Sequence, residues 1–110
     1  MPAFHKSLTF DTSNALVAAT FWAAALGSDV DQGSTADKAF EPAGWGGPTI
    51  WFQRVPEAKT AKNRLHLDIR APGALADEVA RLKGLGAAVL TPGTDLVVMQ
   101  DPDGNECCVE

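Results

Sequence analysis

Single alternation of apolar and polar residues runs through positions 6–11, where Leu8 and Phe10 interleave with Ser7, Thr9 and Asp11. It returns at 64–70, where Leu65, Leu67 and Ile69 interleave with His66, Asp68 and Arg70. A period of two marks a strand with one buried face and one wet face. After each strand the pattern lengthens to that of a helix. The first helix starts near Thr12 to Asn14, any of which can cap it, and stops at Gly27. The second follows Pro72-Gly73, carries Asp77 and Glu78 early and Arg81 and Lys83 late, and stops at Gly86. That order of charge suits the helix dipole. Residues 49–55, 87–90 and 96–100 read as further strands from their β-branched and apolar content. Asp101-Pro102-Asp103-Gly104 is a turn, Pro presetting φ and Gly accepting φ > 0, and it joins 96–100 to 106–109 as a hairpin. Residues 28–48 are rich in Gly, Ser, Asp and Ala and read as short strands or a loop.

The two patterned stretches are copies of one plan. At an offset of 59 residues, without a gap, Leu8 falls on Leu67, Phe10 on Ile69, Leu16 on Leu75, Leu26 on Leu85 and Gly27 on Gly86. Strand register and helix end agree together, which favours an internal duplication over shared patterning alone. The expected architecture is α+β, with the apolar strand faces on the helices and the polar faces on the other side of the sheet. Ser7, Thr9, His66 and Asp68, with Glu106 or Cys108, then share that helix-free side.

Composition narrows the class. The 110 residues are 45% hydrophobic and 21% charged, which suits one globular domain. A net charge of −5 leaves no large basic face, so a nucleic-acid partner is not expected. The longest apolar run, near 15–26, contains Thr20 and is too short to span a bilayer. No charged-then-apolar leader precedes the first strand. The only cysteines, Cys107 and Cys108, are adjacent and close no loop, which points to a reducing cytoplasm. Adjacent strand residues face opposite ways, so Cys107 goes to the core and Cys108 to the other side. The first helix is apolar on more than one face through Leu16, Val17, Phe21, Trp22 and Leu26, which predicts a homodimer.

Four phrases stand in order along the chain: FWAAALG from Phe21, FQRVPE from Phe52, KNRLHLD from Lys62 and DPDGNE from Asp101. Together they resemble the vicinal-oxygen-chelate superfamily of glyoxalases, bleomycin-resistance proteins and extradiol dioxygenases, and within it a small glyoxalase-like branch. The resemblance implies one domain over 1–110 made of two βαβββ modules, about 4–56 and about 62–110. They would form a cupped, mostly antiparallel sheet with helices on its back. It also implies a small-molecule cleft and a homodimer. Metal-dependent members take ligands from the first and last strands of each module. Carried over, those positions are Ser7, Gln53 (the only donor in 49–55), His66 and Cys108.

This set keeps one orthodox ligand, His66, whereas a catalytic divalent centre needs about three protein ligands. His5 and Glu106 share strand parity with Ser7 and Cys108, so a set of His5, His66 and Glu106 is a substitute, displaced by about 7 Å along the strands. The expectation is therefore a small-molecule-binding domain without the full family metal site. Its ligand-binding residues are Ser7, Thr9, Trp51, Gln53, His66, Asp68 and Cys108. The alternative is a metal-dependent lyase, isomerase or dioxygenase, holding Zn, Ni, Mn or Fe on His66 with Gln53, Glu106 or Cys108. Trp51 supplies an aromatic wall, Trp45 a ring on a Gly-rich loop, and Asp68 orients the His66 imidazole.

Overall fold

The computed structural model describes residues 1–41 and 48–110. Trp45, read above as a loop ring, lies outside them. The fold is α+β: the described residues form two helices and seven strands in two sheets, divided into two compact units, Met1–Ala58 and Lys59–Glu110. Three of the five strand pairings are antiparallel. The other two are parallel and join the first strand of each unit to its last.

Unit 1 runs β1 (Ser7–Thr12), α1 (Ala15–Leu26), β2 (Lys38–Glu41) and β3 (Thr49–Arg54). The sheet order is β1-β3-β2. Asn14 starts the helix as its side-chain carbonyl accepts from the Val17 N–H at 3.1 Å, and Thr12 Oγ1 accepts from the Asn14 N–H at 3.2 Å. Gly27 ends it at φ 74°, where its N–H reaches the Ala23 carbonyl. Ala15, Ala18, Ala19 and Ala23 are all buried, and their small side chains let α1 lie close to β2 and β3. Phe21 and Trp22 fill what remains. Trp22 meets Phe10 and Phe21 edge-on at 5.6 and 5.2 Å, and Phe10 meets Phe52 at 5.4 Å. Each such side chain, fully buried, contributes about 1.5–3 kcal/mol.

Unit 2 runs β4 (Leu67–Ile69), α2 (Leu75–Leu85), β5 (Ala88–Thr91), β6 (Val97–Gln100) and β7 (Glu106–Val109), with sheet order β4-β7-β6-β5. The expected hairpin is present: Val97 pairs with Val109 and Met99 with Cys107, and these four form a buried face. Asp101, itself buried, makes the turn by accepting the Asp103 and Asn105 N–H groups on one carboxylate oxygen, each at 2.9 Å.

Unit 2 is a full βαβββ module, whereas the described residues of unit 1 show strand, helix and two strands. An offset of 59 carries Val97–Gln100 onto Lys38–Glu41, the bounds of β2, but carries β5 onto 29–32, which is not a strand. The strand expected over 64–70 is confined to Leu67–Ile69, because β7 pairs with it only over Cys107–Val109. Leu65, expected on the buried face, is 68% exposed.

The two helix-ending glycines differ in a measurable way. A Cβ on Gly27 meets nothing, whereas on Gly86, at φ 117°, it lies 3.2 Å from Pro102 Cγ. We expect Gly27→Ala to cost about 1 kcal/mol and Gly86→Ala about 2–3 kcal/mol by chemical denaturation. Equal costs would show that the Gly86 turn is not held as described.

Candidate functional site

In each unit the helix covers one sheet face, and side-chain alternation sends a second set of residues to the other. In unit 1 that set comes from three strands in register: Thr9 opposite Trp51 and Asp11 opposite Gln53 across β1–β3, then Phe40 opposite Trp51 and Lys38 opposite Gln53 across β2–β3. Trp51 and Phe40 stack at 4.7 Å with 27° between their planes. Lys38 Nζ stands 5.6 Å from the Trp51 ring centre, a cation–π distance. Gln53 Nε2 donates to Asp11 Oδ1 at 2.8 Å, which fixes the amide. Ser7, half-buried, begins β1 opposite Thr49. The face is thus an aromatic pair edged by a cation, hydroxyls and a fixed amide.

Unit 2 gathers His66, Asp68 and Cys108. Asp68 pairs with Cys108 across the parallel β4–β7 ladder, and His66 directly precedes β4. The His66 Nδ1 to Asp68 Oδ1 distance is 3.0 Å, which puts the Asp68 carboxylate against the ring. One ligand atom from each of the three lies within 4.8 Å of the others. Burial pushes the Cys108 thiol up from its ordinary value, and the Asp68 carboxylate adds to this by its charge and by accepting a hydrogen bond from the thiol. Lys62 opposes the shift only partly. Such a shift disfavours the thiolate, the nucleophilic form. Cys107 is 1% exposed, and burial first, then Asp101 and Cys108, push it up to about 12.

Glu106 stands outside this cluster. Its carboxylate accepts from the Asn63 N–H at 3.1 Å and from Lys59 Nζ at 3.2 Å, while Lys59 also donates to the Ala61 carbonyl. The Asn63 N–H is the first cause that holds Glu106 below the usual carboxylate range. Glu106 is a clamp on the segment before β4, and it does not enter a set with His66. His5 is exposed in the irregular segment ahead of β1. Residues missed from the sequence are Lys38, Phe40 and the bond from Gln53 to Asp11. Phe40 and Lys38 fall in the stretch read as short strands or a loop, where the 59-residue offset from Val97–Gln100 was the signal that would have placed the strand.

A family model described as a glyoxalase-like domain matches residues 7–110. The chain belongs to that family. No protein with a curated description matches its sequence. Three solved structures illustrate the likeness of this glyoxalase-like domain to known folds. A glyoxalase/bleomycin resistance protein/dioxygenase family enzyme from Burkholderia phytofirmans is 13% identical, with TM-score 0.74 and 94% of each chain covered. The fosfomycin resistance protein FosX from Mesorhizobium loti is 15% identical, with TM-score 0.72, covering 100% of this chain and 92% of that one. FosX from Listeria monocytogenes, in a mutant complexed with Mn(II) and 1S,2S-dihydroxypropylphosphonic acid, is 14% identical, with TM-score 0.70 and 100% and 90% covered. At these identities the likeness is one of fold.

The family-type ligand positions can be tested against a hard divalent ion. Ser7, Gln53, His66 and Cys108 offer a hydroxyl, an amide already bonded to Asp11, an imidazole and a thiol. None is a carboxylate, the group such ions prefer, so this donor set does not fit a Mn(II)-type centre. The His66, Asp68 and Cys108 trio offers nitrogen, oxygen and sulfur within one unit, a mixture suited to a borderline ion such as Zn(II).

Asp68→Asn removes the charge that opposes Cys108 ionisation. Iodoacetamide at pH 8 should then label Cys108 several times faster than in the parent, while Cys107 stays unlabelled in both until unfolding. An unchanged Cys108 rate would show that Asp68 does not control the thiol.

Proposed function

We propose that this glyoxalase-like domain binds a small organic molecule with a planar aromatic part, on the helix-free sheet face, without the four-position metal site of its family. The observation that carries the reading is the stacked Phe40–Trp51 pair edged by Lys38, Thr9 and Gln53. A rigid ring buries a large apolar area at little rotamer cost, while the fixed amide and hydroxyl set orientation. The Ser7 hydroxyl on β1 adds a polar contact, and in unit 2 the His66, Asp68 and Cys108 group is a separate polar candidate for ligand binding. In this proposal the domain works as a cytoplasmic homodimer. Leu16 and Val17 of α1, 40% and 52% exposed, support the pairing, and adjacent cysteines held as thiols suit a reducing compartment.

A second reading is a metal-dependent lyase, isomerase or dioxygenase, favoured by the His66, Asp68 and Cys108 trio. Those residues would hold the ion, and the ion would supply Lewis-acid polarisation of a substrate oxygen.

A metabolite and drug library screened by tryptophan fluorescence provides ligands for the test, repeated on Trp51→Leu and His66→Ala. We expect Trp51→Leu to weaken the aromatic hits about 30-fold, the equivalent of about 2 kcal/mol for an aromatic anchor. His66→Ala should weaken a subset less. Hits that bind both variants as tightly as the parent would place the ligand elsewhere.

A further inference from the structure

The helix side of unit 2 holds a cavity of about 690 Å³ that the site described above does not use. One wall is a stripe of α2, with Leu75, Val79 and Lys83 one turn apart and Ala76 and Ala80 between them. The other is Val89 and Val97, on the helix-facing side of β5 and β6, and Pro92 closes one end. The helix is seated by the adjoining flank, where Glu78 and Leu82 are its buried residues, and the stripe beside that flank lines the groove. The closing loop is tightly built: at Gly93 the Leu96 carbonyl leaves no space for a Cβ.

Three features define what fits. The walls are aliphatic, with no aromatic ring among the lining residues. Lys83 is the only charged lining residue, and it makes no ion pair among the described residues. The stripe from Leu75 to Lys83 is about 12 Å long at 1.5 Å per residue. The volume falls within the roughly 300–1,000 Å³ of small-molecule sites. We propose that this groove binds a medium-chain aliphatic carboxylate, its chain between α2 and Val89 and Val97 and its carboxylate on Lys83. The proposal is independent of the Trp51 face.

The test is an NMR titration of the full chain with octanoate, decanoate and 1-octanol. Saturable one-to-one binding is expected, with shifts along α2 and at Val89 and Val97. Decanoate should bind roughly tenfold tighter than octanoate, from about 0.8 kcal/mol per buried methylene. Lys83→Met should weaken both carboxylates at least fivefold and leave 1-octanol unchanged. Ala80→Phe should fill the groove and block all three, and Trp51→Leu should change nothing. Lys83 is exposed, so its variant carries the test even if Ala80→Phe fails to fold. Absence of saturation, or a Lys83→Met variant that binds carboxylates like the parent, would overturn the proposal. So would an Ala80→Phe variant that turns a dimer into a monomer, since a second copy of the chain would then be the occupant.

Discussion

Each unit depends on the parallel pairing of its first strand with its last, β1 with β3 and β4 with β7. Parallel neighbours cannot be joined by a tight turn, so a helix must cross between them and cover one face of the sheet. Once that face is closed, alternation decides every other position. Phe52 and Ile50 go to the helix while Trp51 and Gln53 go away from it. Cys107 and Val109 are buried while Cys108 meets Asp68. A slip of one residue in either parallel ladder would exchange core for site, which is why the apolar set on β3 and β7 fixes both at once.

This explains what could be read from the sequence. Strand parity is local, so Ser7, Thr9, Trp51, Gln53, Asp68 and Cys108 were assignable to a face from the chain alone. The helix ends were equally legible, because Gly27 and Gly86 adopt positive φ, and so was the turn that Asp101 organises. What could not be read depends on partners. The strand around His66 looks seven residues long by alternation, yet its length is set by how much of β7 it can pair with. A short strand was one of two readings of 28–48, and the bounds of β2 were not given because Ala39 and Phe40 point to opposite faces, so neither face of that four-residue strand shows a pattern. Phe40, which completes the aromatic pair, went unassigned with it.

The polar residues show a division of labour that composition could not reveal. Glu106 looked like a candidate ligand, but its carboxylate is consumed by the Asn63 N–H and Lys59, where it ties down the segment leading to β4. Asp68 serves two neighbours at once, the His66 ring and the Cys108 thiol, and so adds to the burial that already pushes the thiol up from its ordinary value. A carboxylate in that position favours hydrogen bonding to an uncharged partner over thiolate chemistry. The same arrangement leaves the family-type positions without the negative charge that a hard cation requires, whereas the Trp51 face needs no cation to bind a ring.

Metal content tests this account most directly. Purified chain would be stripped with chelator, incubated separately with Mn(II), Ni(II), Fe(II) and Zn(II), desalted, and measured by elemental analysis beside His66→Ala. The account predicts that all four metals remain far below one equivalent per chain, with no difference between parent and variant. One equivalent of Zn(II), Ni(II), Mn(II) or Fe(II) in the parent, lost in His66→Ala, would contradict it and favour the metal-dependent enzyme.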